Sequence, residues 1–164
     1  MSLPIPDIML GSIYELKPQT LSDRGIKLLF MDLDNTLAPF CENSASVPLR
    51  NWVDSLKKAG IEPFILSNNR GKKPQDFASD LGLECISRAQ KPRTAKLLQV
   101  LKKKDIAPED AAIIGDQIYT DVLCGKRAGV IAIAVRPISM VNPLHLIRYG
   151  LEVPFRLAYK VKSK

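Results

Sequence analysis

Five short apolar runs punctuate the chain, and a helix-like stretch follows each of the first four. The runs are "GIKLLFMD" (25–32), "IEPFILS" (61–67), "LECIS" (83–87), "AAIIGD" (111–116) and "VIAIAV" (130–135). Between them lie "SVPLRNWVDSLKKAG" (46–60), "KPQDFASDLG" (73–82), "KPRTAKLLQVLKKKD" (91–105) and "YTDVLCGKRAG" (119–129). Pro48 suits a first helical turn, and Gly60, Gly82 and Gly129 suit helix stops. Near-continuous apolar strands joined by helices predict a parallel sheet covered on both faces. Right-handed crossovers then give a doubly wound, Rossmann-like α/β domain of about five strands. The 164 residues suffice for one such domain with a real core. The domain is expected over 1–143, with a basic helical tail over 144–164.

Doubly wound sheets bind ligands beyond the C-terminal ends of their strands. Polar residues gather at those ends here: Asp32 and Asp34, then Ser67-Asn68-Asn69, then Gly115-Asp116. Asp32 and Asp34 lie two apart, so on an extended chain they face the same way. Buried like charges are costly, and a hard divalent cation relieves the conflict. Mg²⁺ favours a few carboxylate oxygens together with waters and substrate phosphate. One carboxylate of such a pair can attack phosphorus, and the other can move the proton. Ser67 and backbone N–H groups at Asn68 could hold phosphoryl oxygens. Lys91, read as lying at a helix start, adds a positive charge there.

Other functions are disfavoured. Cys41, Cys85 and Cys124 are odd in number and far apart, and His145 is the one histidine. Reduced cytosolic thiols are therefore expected, without a zinc site. No apolar run reaches the length of a membrane span, and the N-terminus reads neither as a signal nor as a transit peptide. Trp52 is expected in the core, and Cys124 as a small packing residue.

Four motifs occur in order: "DLDNT" (32–36), "LSNN" (66–69), "KP" (91–92) and "GDQIYTD" (115–121). Together they resemble the haloacid dehalogenase (HAD) superfamily. The stretches "DRGIKLLFMDLDNTL", "ILSNNR", "AQKP" and "IIGDQIYTDVLCGKRAG" resemble the YqeG-like branch of its type IIIA phosphatases, over about Leu3 to Pro143. Relatives in that branch include phosphatidylglycerophosphate phosphatases. The resemblance implies a Mg²⁺-dependent phosphomonoesterase working through an aspartyl-phosphate. In it Asp32 is nucleophile and metal ligand, and Asp34 is general acid/base and gives a backbone carbonyl to the metal. Ser67 and Asn68 bind phosphate, Lys91 offsets charge, Asp116 is a metal ligand, and Thr36 and Asp121 support the site.

Family members often carry a cap domain that selects substrate. Residues 37–66 and 70–90 leave no room for one. An open site suits a phosphate on something large, such as a lipid bilayer. The net charge is +7, and Arg148, Arg156, Lys160, Lys162 and Lys164 face only Glu152 in the tail. Leu144, Ile147, Leu151, Phe155 and Ala158 fall at helical spacing there, with Gly150 and Pro154 suggesting a break between two short helices. The stripe either packs on the domain or rests on anionic lipid at the cytoplasmic face of a membrane. Arg70, Lys72 and Lys73 follow the second motif and are expected to meet a second phosphate or a membrane surface. The expected substrate is thus phosphatidylglycerophosphate. The rivals are a nucleotide, nucleic-acid end or sugar phosphate, and a binding scaffold for RNA or protein; nucleic acid is the less favoured partner.

Overall fold

Every strand of the sheet is parallel to its neighbours, as the alternating pattern predicts. The computed structural model describes residues 3–140 and 143–162. The strands are β1 (Ile8–Met9), β2 (Leu28–Met31), β3 (Glu62–Leu66), β4 (Glu84–Ile86), β5 (Ala111–Gly115) and β6 (Ile131–Ala134). They lie in the order β1-β6-β5-β2-β3-β4. The chain runs outward from β2 through β3 to β4, then returns to build β5 and β6 on the other side. The direction reverses between β2 and β5, and at such a switch point the two flanking loops diverge and open a crevice.

Strand side chains alternate between faces, so the sheet carries two cores. Leu29, Met31, Ile65 and Ile114 meet one layer of helices: α1 (Pro18–Ser22), α2 (Val47–Lys58) and α3 (Lys73–Leu81). Leu28, Phe30, Phe64 and Ile113 meet α4 (Ala95–Lys104) and α5 (Leu123–Ala128). Helix α2 starts where Ser46 accepts a hydrogen bond from the Leu49 N–H, with a proline in its first turn. Trp52 on this helix is buried and donates its ring N–H to the Leu16 carbonyl at 3.1 Å. Cys124 is fully buried against the second core.

The sheet of about five strands gains one more, and one expectation, about the tail, needs correction. The sheet has a sixth strand, β1, made of two residues at its edge. So short a segment has no periodicity of its own. It is recruited by the free edge of β6, through Asp7 N–H to Ala132 O and Leu10 N–H to Ala134 O. The tail forms one helix, α6 (Pro143–Lys162), that passes through Gly150 and Pro154 without a break. Proline clashes with the carbonyl four residues back. Here that residue is Gly150, and side-chain bonds from Glu152 and Arg156 anchor the helix on both sides of Pro154.

The central strand sets the stability of the whole. Phe30 is fully buried and meets Phe64 edge to face, with ring centroids 5.6 Å apart. Phe30→Ala should cost about 3–5 kcal/mol by loss of burial and an unfilled cavity. Urea denaturation should show this as a lowered midpoint with an unchanged slope.

Candidate active site

The crevice at the switch point is where the motifs meet. Asp32 follows β2 directly, and its N–H continues the ladder to the Ile114 carbonyl at 2.9 Å. Asp116 follows β5. The adjacent strands therefore deliver the two carboxylates side by side. The Thr36 hydroxyl lies between them, 3.3 Å from Asp32 Oδ2 and 3.2 Å from Asp116 Oδ1, and accepts the Asp116 N–H at 3.0 Å. Asn35 takes a left-handed φ of 62° in the turn that brings Thr36 back.

Asp121 completes the cluster. It lies on a π-helical turn, Ile118–Val122, that leads into α5. Asp32, Asp116 and Asp121 each offer a carboxylate oxygen within 4.8 Å of the others, and all three are buried. Asp121 packs so closely on Gly115 that a Cβ there would collide with its carboxylate. Lys91 reaches into the cluster, 2.7 Å from Asp32 and 2.6 Å from Asp121. Burial pushes the Asp32 pKa up to about 6; Lys91 opposes that rise, while Asp121 and Asp34 add to it. Burial, Asp32 and Asp121 drive Asp116 well above the ordinary carboxylate value. Burial works against the Lys91 ammonium, but Asp121 and Asp32 outweigh it and hold its pKa above the lysine norm. Three buried carboxylates thus share one ammonium. A hard divalent cation with oxygen preference fits this donor set, because it supplies the missing positive charge.

Asp34 points elsewhere. Its carboxylate accepts from Lys73 at 2.7 Å and from the Asn69 side chain at 2.9 Å. Lys73 also donates to the Pro39 and Phe40 carbonyls. It is therefore turned into the site and committed to Asp34, not offered to a second phosphate. Lys72 stays exposed at the start of α3, and Arg70 is exposed beside the crevice. Ser67 is buried at the end of β3, and its hydroxyl accepts the Asn69 N–H at 3.1 Å. Asn68 exchanges two hydrogen bonds with the backbone of Lys91, at 2.8 and 3.0 Å, and so ties the second motif to the third. Lys91 lies on the loop before α4 and not in its first turn, so the expected helix N-terminal contribution is absent.

Comparison with known proteins identifies the family. The HAD-hydrolase-like family model matches residues 88–137. The "Probable phosphatase YqeG" of Bacillus subtilis is 32% identical over 160 residues, spanning 98% of this chain and 92% of that protein. The chain belongs to the HAD superfamily. This places it among the HAD-family phosphatases. Phosphatidylglycerophosphate phosphatase 1 of Arabidopsis thaliana is 21% identical over 153 residues, covering 88% of this chain and 44% of that one. A 3-deoxy-D-manno-octulosonate 8-phosphate phosphatase from Moraxella catarrhalis, solved with magnesium and phosphate ions, shares the fold. Its TM-score is 0.51 at 24% identity, over 65% of this chain and 64% of that one.

Two residues of this HAD site escaped the sequence reading. Glu152 and Arg156 of α6 are buried, where the periodicity placed Arg156 on an outward basic face. Arg156 donates to the Asp116 carbonyl at 2.6 Å and pairs with Glu152 at 3.1 Å, and its guanidinium lies over the Tyr149 ring. Glu152 accepts the Ile118 N–H at 2.8 Å. Together they brace the loop that carries Asp116. Ile147 and Leu151 of the expected packing stripe are instead exposed, and Phe155 is half-buried. The side chains of Leu144, His145, Lys160 and Lys162, and the whole of Lys164, lie outside the described residues. Only an i,i+4 acid–base pair hinted at the brace, and such pairs are common on exposed helices.

Arg156→Met leaves Glu152 buried without its cation and should cost roughly 3–5 kcal/mol. The urea midpoint should fall. Arg148→Ala, at an exposed position of the same helix, should leave it unchanged.

Proposed function

We propose that this HAD protein is a Mg²⁺-dependent phosphomonoesterase that removes the terminal phosphate of phosphatidylglycerophosphate. The observation that carries the phosphatase chemistry is the convergence of Asp32, Asp116, Asp121 and Lys91 at the switch point. Asp32 Oδ attacks phosphorus, forming the aspartyl-phosphate as the bond to the leaving oxygen breaks. Asp34 gives its proton to that oxygen, then takes one from the water that hydrolyses the aspartyl-phosphate. Asp32, Asp116 and the Asp34 main-chain carbonyl would hold Mg²⁺, which would supply charge neutralisation for the phosphoryl group. Ser67 and the Asn68 N–H orient the phosphoryl oxygens, and Lys91 offsets their charge. Lys73 and Asn69 orient the Asp34 side chain, which takes up a proton from solvent before the first step.

Two features support a lipid substrate. Between Thr36 and Lys91 the chain forms only α2, β3, α3 and β4, so no cap covers the crevice. Beside it, α6 turns Leu146, Ile147, Leu151, Val153 and Leu157 outward, all exposed, together with Arg148. An amphipathic helix of this kind lies in a lipid interface, with its basic residues toward anionic headgroups. Among the described residues no helix is long and apolar enough to cross a membrane. The contact we propose is peripheral, at the cytoplasmic face. The resemblance to phosphatidylglycerophosphate phosphatase 1 points the same way.

Asp32→Asn should lower turnover of any phosphomonoester by roughly a thousandfold or more, with circular dichroism unchanged. Normal turnover in this variant would place the nucleophile elsewhere. Wild-type protein with Mg²⁺ should release phosphate from phosphatidylglycerophosphate in vesicles, and Leu151→Glu/Leu157→Glu should weaken that release. Turnover of soluble phosphoesters with none from the lipid would remove the lipid from the proposal.

A further inference from the structure

A cleft of about 570 Å³ opens beside the carboxylate cluster, lined by Asn68, Arg70, Arg88, Gln90, Lys91 and Arg93. Lys91 and Asn68 belong to both places, so the cleft is continuous with the site where phosphate is proposed to react. No carboxylate lines it. Among the described residues none of the three arginines forms an ion pair: Arg88 contacts the Arg70 carbonyl at 3.5 Å, and Arg93 contacts Gln90 Oε1 at 3.4 Å. Three cations crowded without a counter-charge repel one another, and an anion removes that cost.

The loop that presents them is built for a fixed shape. Arg88 and Gln90 adopt positive φ values of 51° and 61°. Neither is glycine, so each position carries conformational strain that the surroundings must hold. The surroundings do so: Arg88 N–H bonds the Asn69 carbonyl at 3.0 Å, and Ala89 N–H bonds the Ser67 carbonyl at 2.9 Å. Ala89 between them is buried. The arginine loop is thereby stitched to the segment carrying Ser67, Asn68 and Asn69. The backbone from which Arg88 projects is thus fixed beside the second motif, while the three arginine side chains remain exposed. Guanidinium is also the side chain best matched to a phosphate-type oxyanion through paired N–H donors.

We propose that Arg70, Arg88 and Arg93 form a second-anion subsite, which takes a phosphodiester or phosphate joined by a short spacer to the scissile phosphate. This rests on the phosphatase reading above. It replaces Lys72 and Lys73 with Arg88 and Arg93 as the partners of Arg70. The subsite selects substrates carrying two phosphate-type groups over those carrying one. The second group can be the phosphodiester of a lipid or the second phosphate of a free molecule.

The test compares wild type with Arg70→Gln/Arg88→Gln/Arg93→Gln, whose fold is checked by circular dichroism. The measured quantity is the kcat/KM ratio for glycerol 1,3-bisphosphate over glycerol 3-phosphate, with phosphatidylglycerophosphate in neutral phosphatidylcholine vesicles as a further substrate. Loss of charge-assisted hydrogen bonds should lower the ratio roughly tenfold or more, and kcat/KM for the lipid should fall by a similar factor. An unchanged ratio overturns the subsite. A fall confined to the vesicle substrate also overturns it, because the arginines then meet the membrane surface. If wild type hydrolyses no phosphomonoester, the phosphatase reading has failed. Equilibrium binding of glycerophosphoglycerol, which has a diester and no monoester, then decides the subsite alone. Binding by wild type that the triple variant loses sustains it; equal binding, or none by wild type, overturns it.

Discussion

Three buried carboxylates gathered around one ammonium are the constraint on which the rest of this structure depends. Asp32, Asp116 and Asp121 share Lys91 across distances at which like charges repel strongly in a poorly hydrated site. The fold must hold them there against that repulsion. It does so with the most rigid parts available: the ends of two adjacent central strands, the Thr36 hydroxyl between them, and a π-helical turn packed on Gly115. The burial and crowding that raise the pKa of Asp32 and Asp116 make a divalent cation a favourable guest. Stability is given up at this point for chemistry, a trade expected at functional sites.

The C-terminal helix extends that framework. Its polar residues turn inward and several of its apolar residues turn outward, the reverse of an ordinary surface helix. Both halves of the inversion have a physical cause. Glu152 and Arg156 satisfy backbone groups at Ile118, Asp116 and Val135 that end a strand and a loop and have no ladder partner there. Leu146, Ile147, Leu151 and Leu157 of the outward arc are exposed, and in the proposed function a lipid surface covers them. The helix thus braces the loop that carries Asp116, and in the proposed function it joins that loop to the lipid surface.

A crevice without a cap cannot enclose its substrate, so selectivity has to come from what surrounds the phosphate laterally. The arginine cleft and α6 are two such surroundings. One is a charged loop fixed to the end of β3 through Ser67 and Asn69, and the other is fixed to the loop after β5. The reacting group lies between them. Recognition of a second anion and contact with an interface would then act on different parts of one molecule.

Much was legible in the sequence. The parallel sheet, its two faces and the four motif positions follow from local signals: apolar runs of strand length, a capping serine, helix-stopping glycines, and polar residues at strand ends. Those signals act over a few residues, and together they bring Asp32, Ser67, Lys91 and Asp116 to one crevice. What the sequence could not supply were the pairings between distant segments. Side-chain periodicity does not say which arc of α6 meets the protein, since a buried ion pair reads as a solvated one until its partners' unpaired carbonyls are located. Lys73 reads as a free surface cation until Asp34 is found beside it. Arg88 and Arg93 read as scattered charges until β3 and β4 pair and bring their loop beside Arg70. The sequence by itself determined the chemistry, because the carboxylates and lysine come with their strands. Only the tertiary structure decided which cations meet a substrate and which brace the site, because that depends on the nearest unsatisfied partner in space.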